Sequence, residues 1–264
     1  MNNRISMANA PKTNHLFNRG TLTILGDATF GSSGKGKIGS YICEHADNWQ
    51  FACNSFSAQA GHWVRLDDGR SFFYQHLNSC ANKPEKFEKI YIGPDAAIEL
   101  PALLREYEEN HLKPNQLGVH PLASIIQDKD MAYERGEVNF DGDPLPSMSD
   151  GTKKHGSTCH GTGPARVRKM LRRKDTVLAR DIPALKDFLC DVSGEIMNRL
   201  DAGQAGLLEL AQGWPLSLNH QKFHPYCTNR NVSVSAALDG MMLPPIYAGR
   251  VILNFRTFPI RINS

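Results

Sequence analysis

This chain of 264 residues has no apolar run near the length of a membrane span, no C-x-x-C pair and little net charge. Each shortage excludes something. Without a long apolar run there is no candidate transmembrane helix. Residues 1–20 also lack the apolar core of a secretory signal and read as a polar, mobile leader. The six cysteines (Cys43, Cys53, Cys80, Cys159, Cys190 and Cys227) stand singly, which suits reduced thiols in a cytoplasmic protein. That scatter argues against a disulfide framework or a zinc ribbon. A formal charge of +3 is too small to argue for a nucleic-acid partner, although ten histidines would add charge in mild acid. No internal repeat or low-complexity segment is evident. What remains, 41% hydrophobic and 22% charged residues, is the make-up of an ordinary globule long enough to bury a sizeable core.

The most informative stretch is residues 21–39. Residues 21–25 are β-branched and apolar and read as a buried strand. Gly26, Gly31, Gly34 and Gly36 then supply a flexible turn, and Lys35 and Lys37 enter a helix carrying Ile38 and Ile42. Strand, glycine-rich turn and helix start make an anion cradle, because backbone N–H groups converge where glycines allow close approach. A strict P-loop would need glycine at position 29 and serine or threonine at position 36. Those places hold Thr29 and Gly36, so the loop is a modified one. A glycine-rich turn without a ligand is the plain alternative.

Further along, residues 35–46 read as a helix and residues 51–55 as a second strand. Residues 56–63 read as a loop ending in Gly61-His62. Residues 70–76 and 89–92 read as strands, the latter closed by Gly93-Pro94. Residues 95–110 read as a helix with Pro101 near its start. Residues 136–164 are rich in glycine and proline without a hydrophobic period, which marks a long functional or disordered loop. A basic helix follows with Arg166, Arg168, Lys169, Arg172 and Arg173; such runs are usually solvated faces. Asp181-Ile182-Pro183 starts a helix with Leu185, Phe188, Leu189, Val192, Ile196 and Leu200 as its buried stripe, ended by Gly203. Residues 207–210 and 251–255 read as strands. His220 and His224 have helical i, i+4 spacing, but Pro225 and the lack of nearby acids favour a loop over a zinc site. Strands alternating with helices predict an α/β fold around a mostly parallel sheet flanked by helices, with ligands at the strands' carboxyl ends.

Several segments resemble adenylosuccinate synthetases. Phe30-Gly31-Ser32-Ser33-Gly34-Lys35-Gly36-Lys37 is similar to that family's Trp-Gly-Asp-Glu-Gly-Lys-Gly-Lys. Ala58-Gln59-Ala60-Gly61-His62 resembles Asn-Asn-Ala-Gly-His, and residues 156–165 resemble Gly-Thr-Thr-Gly-Arg-Gly-Ile-Gly-Pro-Ala. Glu209-Leu210-Ala211-Gln212-Gly213 is similar to Glu-Gly-Ala-Gln-Gly. Residues 92–104 and 226–231 match at lower specificity. The resemblance implies one nucleotide-binding synthetase domain over residues 21–264. Family members continue past the equivalent of Ser264 into an arginine-rich aspartate-binding loop and a Lys-Leu-Asp motif that reads the donor base.

The implied chemistry joins L-aspartate to a 6-oxopurine nucleotide through a 6-phosphoryl intermediate, with a nucleoside triphosphate as donor and Mg²⁺ as cofactor. By resemblance, Gly31, Ser33, Gly34, Lys35, Gly36, Lys37, Gly61 and His62 bind the donor phosphates. Ser32, Lys35, His62 and Gln212 are the catalytic set: His62 donates to the transferring phosphate and Gln212 orients the purine O6. Ser32, Gln59, Thr158, Arg172, Gln212, Thr228 and Ile262 take the monophosphate nucleotide, and Ser32 and Gly61 the metal. Arg172 matches an arginine that reaches across a homodimer. Outside the Gly-His context, His62 would read as a satisfied loop histidine.

Ser32 is the chief departure, since the family has aspartate there as base for the purine N1 proton and as metal ligand. A serine hydroxyl is a poor base and a weak ligand. A virus-encoded branch of the family also carries serine here, acts on dGMP and leads to 2-aminoadenine in viral DNA. That branch implies dGMP, L-aspartate and ATP or dATP as substrates, in the host cytoplasm. The alternatives are an IMP-using synthetase with a relocated base and a nucleotide-binding protein without turnover.

Overall fold

The computed structural model describes residues 20–46, 49–145, 157–258 and 260. The expected leader, apart from Gly20, and Ile262 lie outside them.

In chain order, β1 (Leu22–Asp27) leads to α1 (Lys35–His45), β2 (Trp49–Asn54) and a hairpin of β3 (His62–Arg65) and β4 (Ser71–Tyr74). Then come β5 (Lys89–Ile92), the short β6 (Ala97–Ile98), α2 (Leu100–Glu109), β7 (Leu117–Val119), β8 (Ser124–Ile125) and α3 (Asp128–Arg135). The second half holds α4 (Thr162–Met170), α5 (Val192–Asp201), β9 (Ala205–Glu209), α6 (Val234–Asp239) and β10 (Ala248–Asn254). The main sheet has six strands in the order β10-β1-β9-β2-β5-β7, and every pairing in it is parallel. The chain is thus the expected α/β protein.

Side chains alternate across this sheet, and each face has its own core. Leu25, Ala52, Ile90, Ile92 and Leu207 point to the face covered by α1, α2 and the hairpin, where Cys43, Leu103, Val64 and Tyr74 join them. Their neighbours Ile24, Cys53, Tyr91 and Leu208 point to the other face and meet Val192, Ile196 and Leu200 of α5 and Leu238 of α6. β1 lies between β10 and β9, one strand in from the β10 edge, so the loop leaving its carboxyl end emerges over an interior strand of the sheet.

Several expected bounds shift. The strand at residues 70–76 is Ser71–Tyr74, and it pairs antiparallel with His62–Arg65 outside the main sheet. The helix at 95–110 begins only at Leu100, because Ala97–Ile98 pairs with Ser124–Ile125 and Glu99 is extended. The helix expected from Asp181 is two pieces. A 3-10 turn covers Pro183–Phe188, Leu189 is extended, and the side chain of Asp191 caps α5 through the Gly194 N–H. Arg172 and Arg173 lie beyond the end of α4.

Candidate active site

The glycine-rich turn runs from Asp27, the last residue of β1, to Lys35, the first of α1. Gly31 and Gly34 have φ of 96° and 88°, left-handed values that favour glycine. A Cβ on Gly36 would stand 2.7 Å from the Trp63 carbonyl oxygen, so glycine there lets α1 lie directly on the hairpin. That contact brings the phosphate loop beside His62.

Lys35 is buried and turned into the loop. Its ammonium donates to Asp27 Oδ2 at 3.2 Å, the Gly31 carbonyl at 2.9 Å and the Gln212 carbonyl at 3.0 Å. Burial is the largest influence on it and lowers its pKa, with the Asp27 charge and hydrogen bond working against that. Asp27 is also buried. Its loss of solvent would raise its pKa, but the charge of Lys35 and hydrogen bonds from Ser33 and Thr29 bring it below the usual carboxylate value. Ser32 is exposed, and its carbonyl accepts from Arg256 at 2.7 Å. Lys37 is exposed as well.

His62 is buried at the start of β3, stacked on Phe56 with ring centres 4.4 Å apart. Its Nδ1 lies 2.6 Å from Glu209 Oε1. The other Glu209 oxygen accepts from the Ser79 N–H at 2.9 Å and its hydroxyl at 2.6 Å. Full burial would raise the Glu209 carboxyl, but the imidazole and the Ser79 donors outweigh it and hold the acid below its ordinary value. A carboxylate on Nδ1 fixes the ring orientation and leaves Nε2 to meet a substrate.

Gln212 stands against the loop in a left-handed conformation, φ 58°, with its backbone within 3.0 Å of where a Gly31 Cβ would be. Its Oε1 is buried without a partner, as is Oε1 of Gln59. The Gln59 amide donates to the Thr228 hydroxyl at 3.5 Å. Buried acceptors without donors are costly and mark places where a ligand would be read. The loop, His62 and Gln212 therefore form one group, and Gln59 and Thr228 form a pair. Gly61 is exposed beside His62. Among the described residues no hydrogen bond or ion pair joins Thr158, exposed just before α4, or Arg172 to either group, and Ile262 lies outside them.

The basic run is not a solvated face. Arg166 pairs with Asp95, Arg168 with Asp130 and Asp175, and Arg173 with Asp141 and Asp175. Lys169 donates to the carbonyls of Pro94 and Leu122. Arg172, exposed with φ 52°, makes neither an ion pair nor a side-chain hydrogen bond among the described residues. His220 packs edge-on against Trp214 at 4.8 Å, and among the described residues no group of acids, cysteines and histidines could hold a metal.

The positions named for a metal, Ser32 and Gly61, offer a hydroxyl and a carbonyl, both neutral. Those hard oxygens suit Mg²⁺ as part of a shell completed by a nucleotide's phosphates and water, not as an all-protein cage. A cavity of about 350 Å³ beside Asp27 is lined mainly by apolar groups such as Ile24, Leu210, Val251 and Leu253. It adjoins the core that α5 and α6 complete and offers few polar groups to read a nucleotide. Two functional residues were missed in the sequence. Glu209 lay in a quoted motif and Asp27 in the quoted loop stretch, and neither had a role. A carboxylate ending a buried strand was the available signal.

Parallel α/β architecture with a glycine-rich loop leaving an interior strand for the first helix defines the class, a P-loop-like α/β fold. The adenylosuccinate synthetase family model matches residues 23–182, and the chain belongs to that family. The adenylosuccinate synthetase of Methanocaldococcus jannaschii is 32% identical over 92% of this chain and 66% of its own length. The N6-succino-2-amino-2'-deoxyadenylate synthase of Vibrio phage phiVC8 is 30% identical over 90% of the chain and 67% of that protein. The succinoaminodeoxyadenylate synthetase of cyanophage S-2L, solved bound to dGMP and dATP as an energy donor, superposes with a TM-score of 0.77. It is 27% identical over 93% of this chain and 67% of that one. The adenylosuccinate synthetase of Plasmodium falciparum, at 17% identity and a TM-score of 0.75, shows the same fold. The chain thus spans 66% of the length of the Methanocaldococcus relative.

Proposed function

We propose that this protein is a ligase condensing dGMP with L-aspartate at the expense of ATP or dATP, giving N6-succino-2-amino-2'-deoxyadenylate. The observation that carries the reading is Ser32, an exposed neutral side chain on the phosphate loop where the family has aspartate. Serine is smaller and leaves space beside purine N1 for guanine's 2-amino group. The two phage relatives support the choice of a deoxyguanylate substrate.

In this reading the N–H groups from Gly31 to Lys37 cradle the donor's phosphates at the start of α1. His62, held by Glu209, presents Nε2 to the transferring phosphate and offsets its charge. Gln212, already against the loop, meets the purine O6 that attacks, and the amine of aspartate then displaces phosphate from C6. Gln59, Thr158 and Thr228 hold the monophosphate, with Arg172 supplied by a second copy in a homodimer. Magnesium, when bound with the donor, would neutralise phosphate charge near Ser32 and Gly61. The domain extends over residues 21–264, and the protein works in the cytoplasm; among the described residues no helix is long and apolar enough to cross a membrane.

An IMP-using synthetase is the second reading, favoured by the archaeal relative at 32% identity. Crossing dGMP, GMP and IMP with ATP, dATP and GTP, in aspartate and Mg²⁺, separates the two. Product from dGMP is expected. Product from IMP only overturns the reading, and binding without product in every combination indicates a protein that has lost turnover.

A further inference from the structure

The phosphate loop lacks an acid at position 32 but not a carboxylate. Asp27 ends β1 directly before it and is 2% exposed. Its Oδ1 accepts from the Thr29 N–H at 2.7 Å and the Thr29 hydroxyl at 2.9 Å. Its Oδ2 accepts from the Ser33 hydroxyl and from the Lys35 ammonium. A carboxylate has about four lone-pair directions, so all of them are taken. Lys35 is saturated in turn, its other donors ending on the carbonyls of Gly31 and Gln212. One ion pair therefore ties the end of β1, the turn, the start of α1 and the loop after β9.

We propose that Asp27 is the positioning carboxylate of this loop, holding Ser33 in place and keeping Lys35 charged beneath the turn where a donor phosphate would meet α1. The inference rests on residues 31–37 being the donor-phosphate loop. Asp27 itself is neither base nor metal ligand in this arrangement, because no lone pair is spare. The physical need is plain. Lys35 is 4% exposed, and burial favours its neutral amine, which is useless to a phosphate. Asp27 is the carboxylate within hydrogen-bond reach of it. Glu209, from β9, adds negative charge at longer range but is engaged by His62 from β3 and by Ser79. Lys37 is exposed on α1, and Arg256 donates to the Ser32 carbonyl.

The test follows the Lys35 side chain by carbon NMR in the whole protein, assigned with Lys35→Arg, beside calorimetric ATP binding with Mg²⁺ and no dGMP. In Asp27→Asn the Lys35 signal should titrate about one pH unit or more below its position in the parent, the effect of losing a close opposite charge. ATP affinity should fall about tenfold at the alkaline end and recover as the pH is lowered, since protonation restores the charge. A merely structural role would weaken ATP equally at every pH. If Asp27→Asn does not fold, Asp27→Ser, which keeps a small acceptor, carries the same comparison. The parent supplies a check without substitution: the Asp27 carboxyl signal should move as Lys35 deprotonates. An unchanged Lys35 titration in the variants, or an Asp27 signal indifferent to Lys35, overturns the proposal. A parent that binds no ATP would sink the donor-loop reading, while the Lys35 titration would still judge Asp27.

Discussion

At the scale of single residues, the site rests on two buried acids and one missing acid. Glu209 fixes His62 through Nδ1 and is itself fixed by Ser79. Glu209→Gln should therefore lower turnover by about tenfold to a hundredfold, the usual cost of losing a residue that orients a site histidine. ATP affinity should fall by less than turnover does, and the split between kcat and binding checks it. Thermal unfolding should show a cost of about 1–3 kcal/mol from imperfectly paired buried donors. Ser32→Asp tests the missing acid. If serine admits guanine, restoring aspartate should slow dGMP turnover by about tenfold or more, a barrier increase of roughly 1.4 kcal/mol. A variant faster on dGMP than the parent would show that Ser32 is a deficit.

At the scale of elements, α3 and α4 are clamped by Arg168, which is 1% exposed. It reaches Asp130 at 2.7 Å, Asp175 at 2.6 Å and the Phe140 carbonyl at 2.6 Å. Arg168→Ala should destabilise the fold by about 3–5 kcal/mol in denaturant unfolding, because it strands the fully buried Asp130. Arg168→Met, which keeps volume but also strands the acid, should recover only the packing part. This clamp also shows why sequence reading went astray here: a run of arginines looks solvated until its acids, distant in the chain, are placed. The strands and helices that carry the loop were legible because Thr21 to Ile42 changes period from strand to helix within one short turn. β7 was not, since three residues buried on both faces leave no alternation to read. The hairpin escaped for another reason. Residues 70–76 have strand composition, but composition does not say that the partner is His62–Arg65 and not the main sheet. Capping chemistry decided the break before α5, where Asp191 holds the Gly194 N–H and starts a new helix.

At the scale of the whole molecule, two buried groups pull stability in opposite directions in mild acid, His76 lowering it and Glu106, pushed up to about 7 by burial, raising it. His76 is fully buried between strand and helix, with Nε2 accepting from the Glu99 N–H at 3.2 Å and Nδ1 unpaired. Burial, helped by the charges of Arg105 and His160, pushes its pKa down to about 3. The unfolded chain binds that proton near the ordinary histidine pKa of about 6.5 and the folded one does not. The resulting stability is therefore present above about pH 6.5 and lost as the pH falls toward 3, by roughly 1.4 kcal/mol per pH unit. His76→Gln should remove this contribution, so that in urea unfolding the variant loses less stability, or gains more, between pH 7 and 5 than the parent does. Assembly is the second property at this scale. Arg172 has a role only if it reaches a neighbouring copy, so Arg172→Ala should weaken dGMP binding by about 1.5–3 kcal/mol. Light scattering should show a dimer with substrates bound, and a monomer there would remove the assignment. The central claim, transfer of phosphate to dGMP and its displacement by aspartate, is tested most directly with dGMP carrying ¹⁸O at position 6. With aspartate, Mg²⁺ and ATP or dATP, the account predicts succinylated product and inorganic phosphate that carries the ¹⁸O label. Product accompanied by unlabelled phosphate, or no product from dGMP under conditions where IMP reacts, would contradict it.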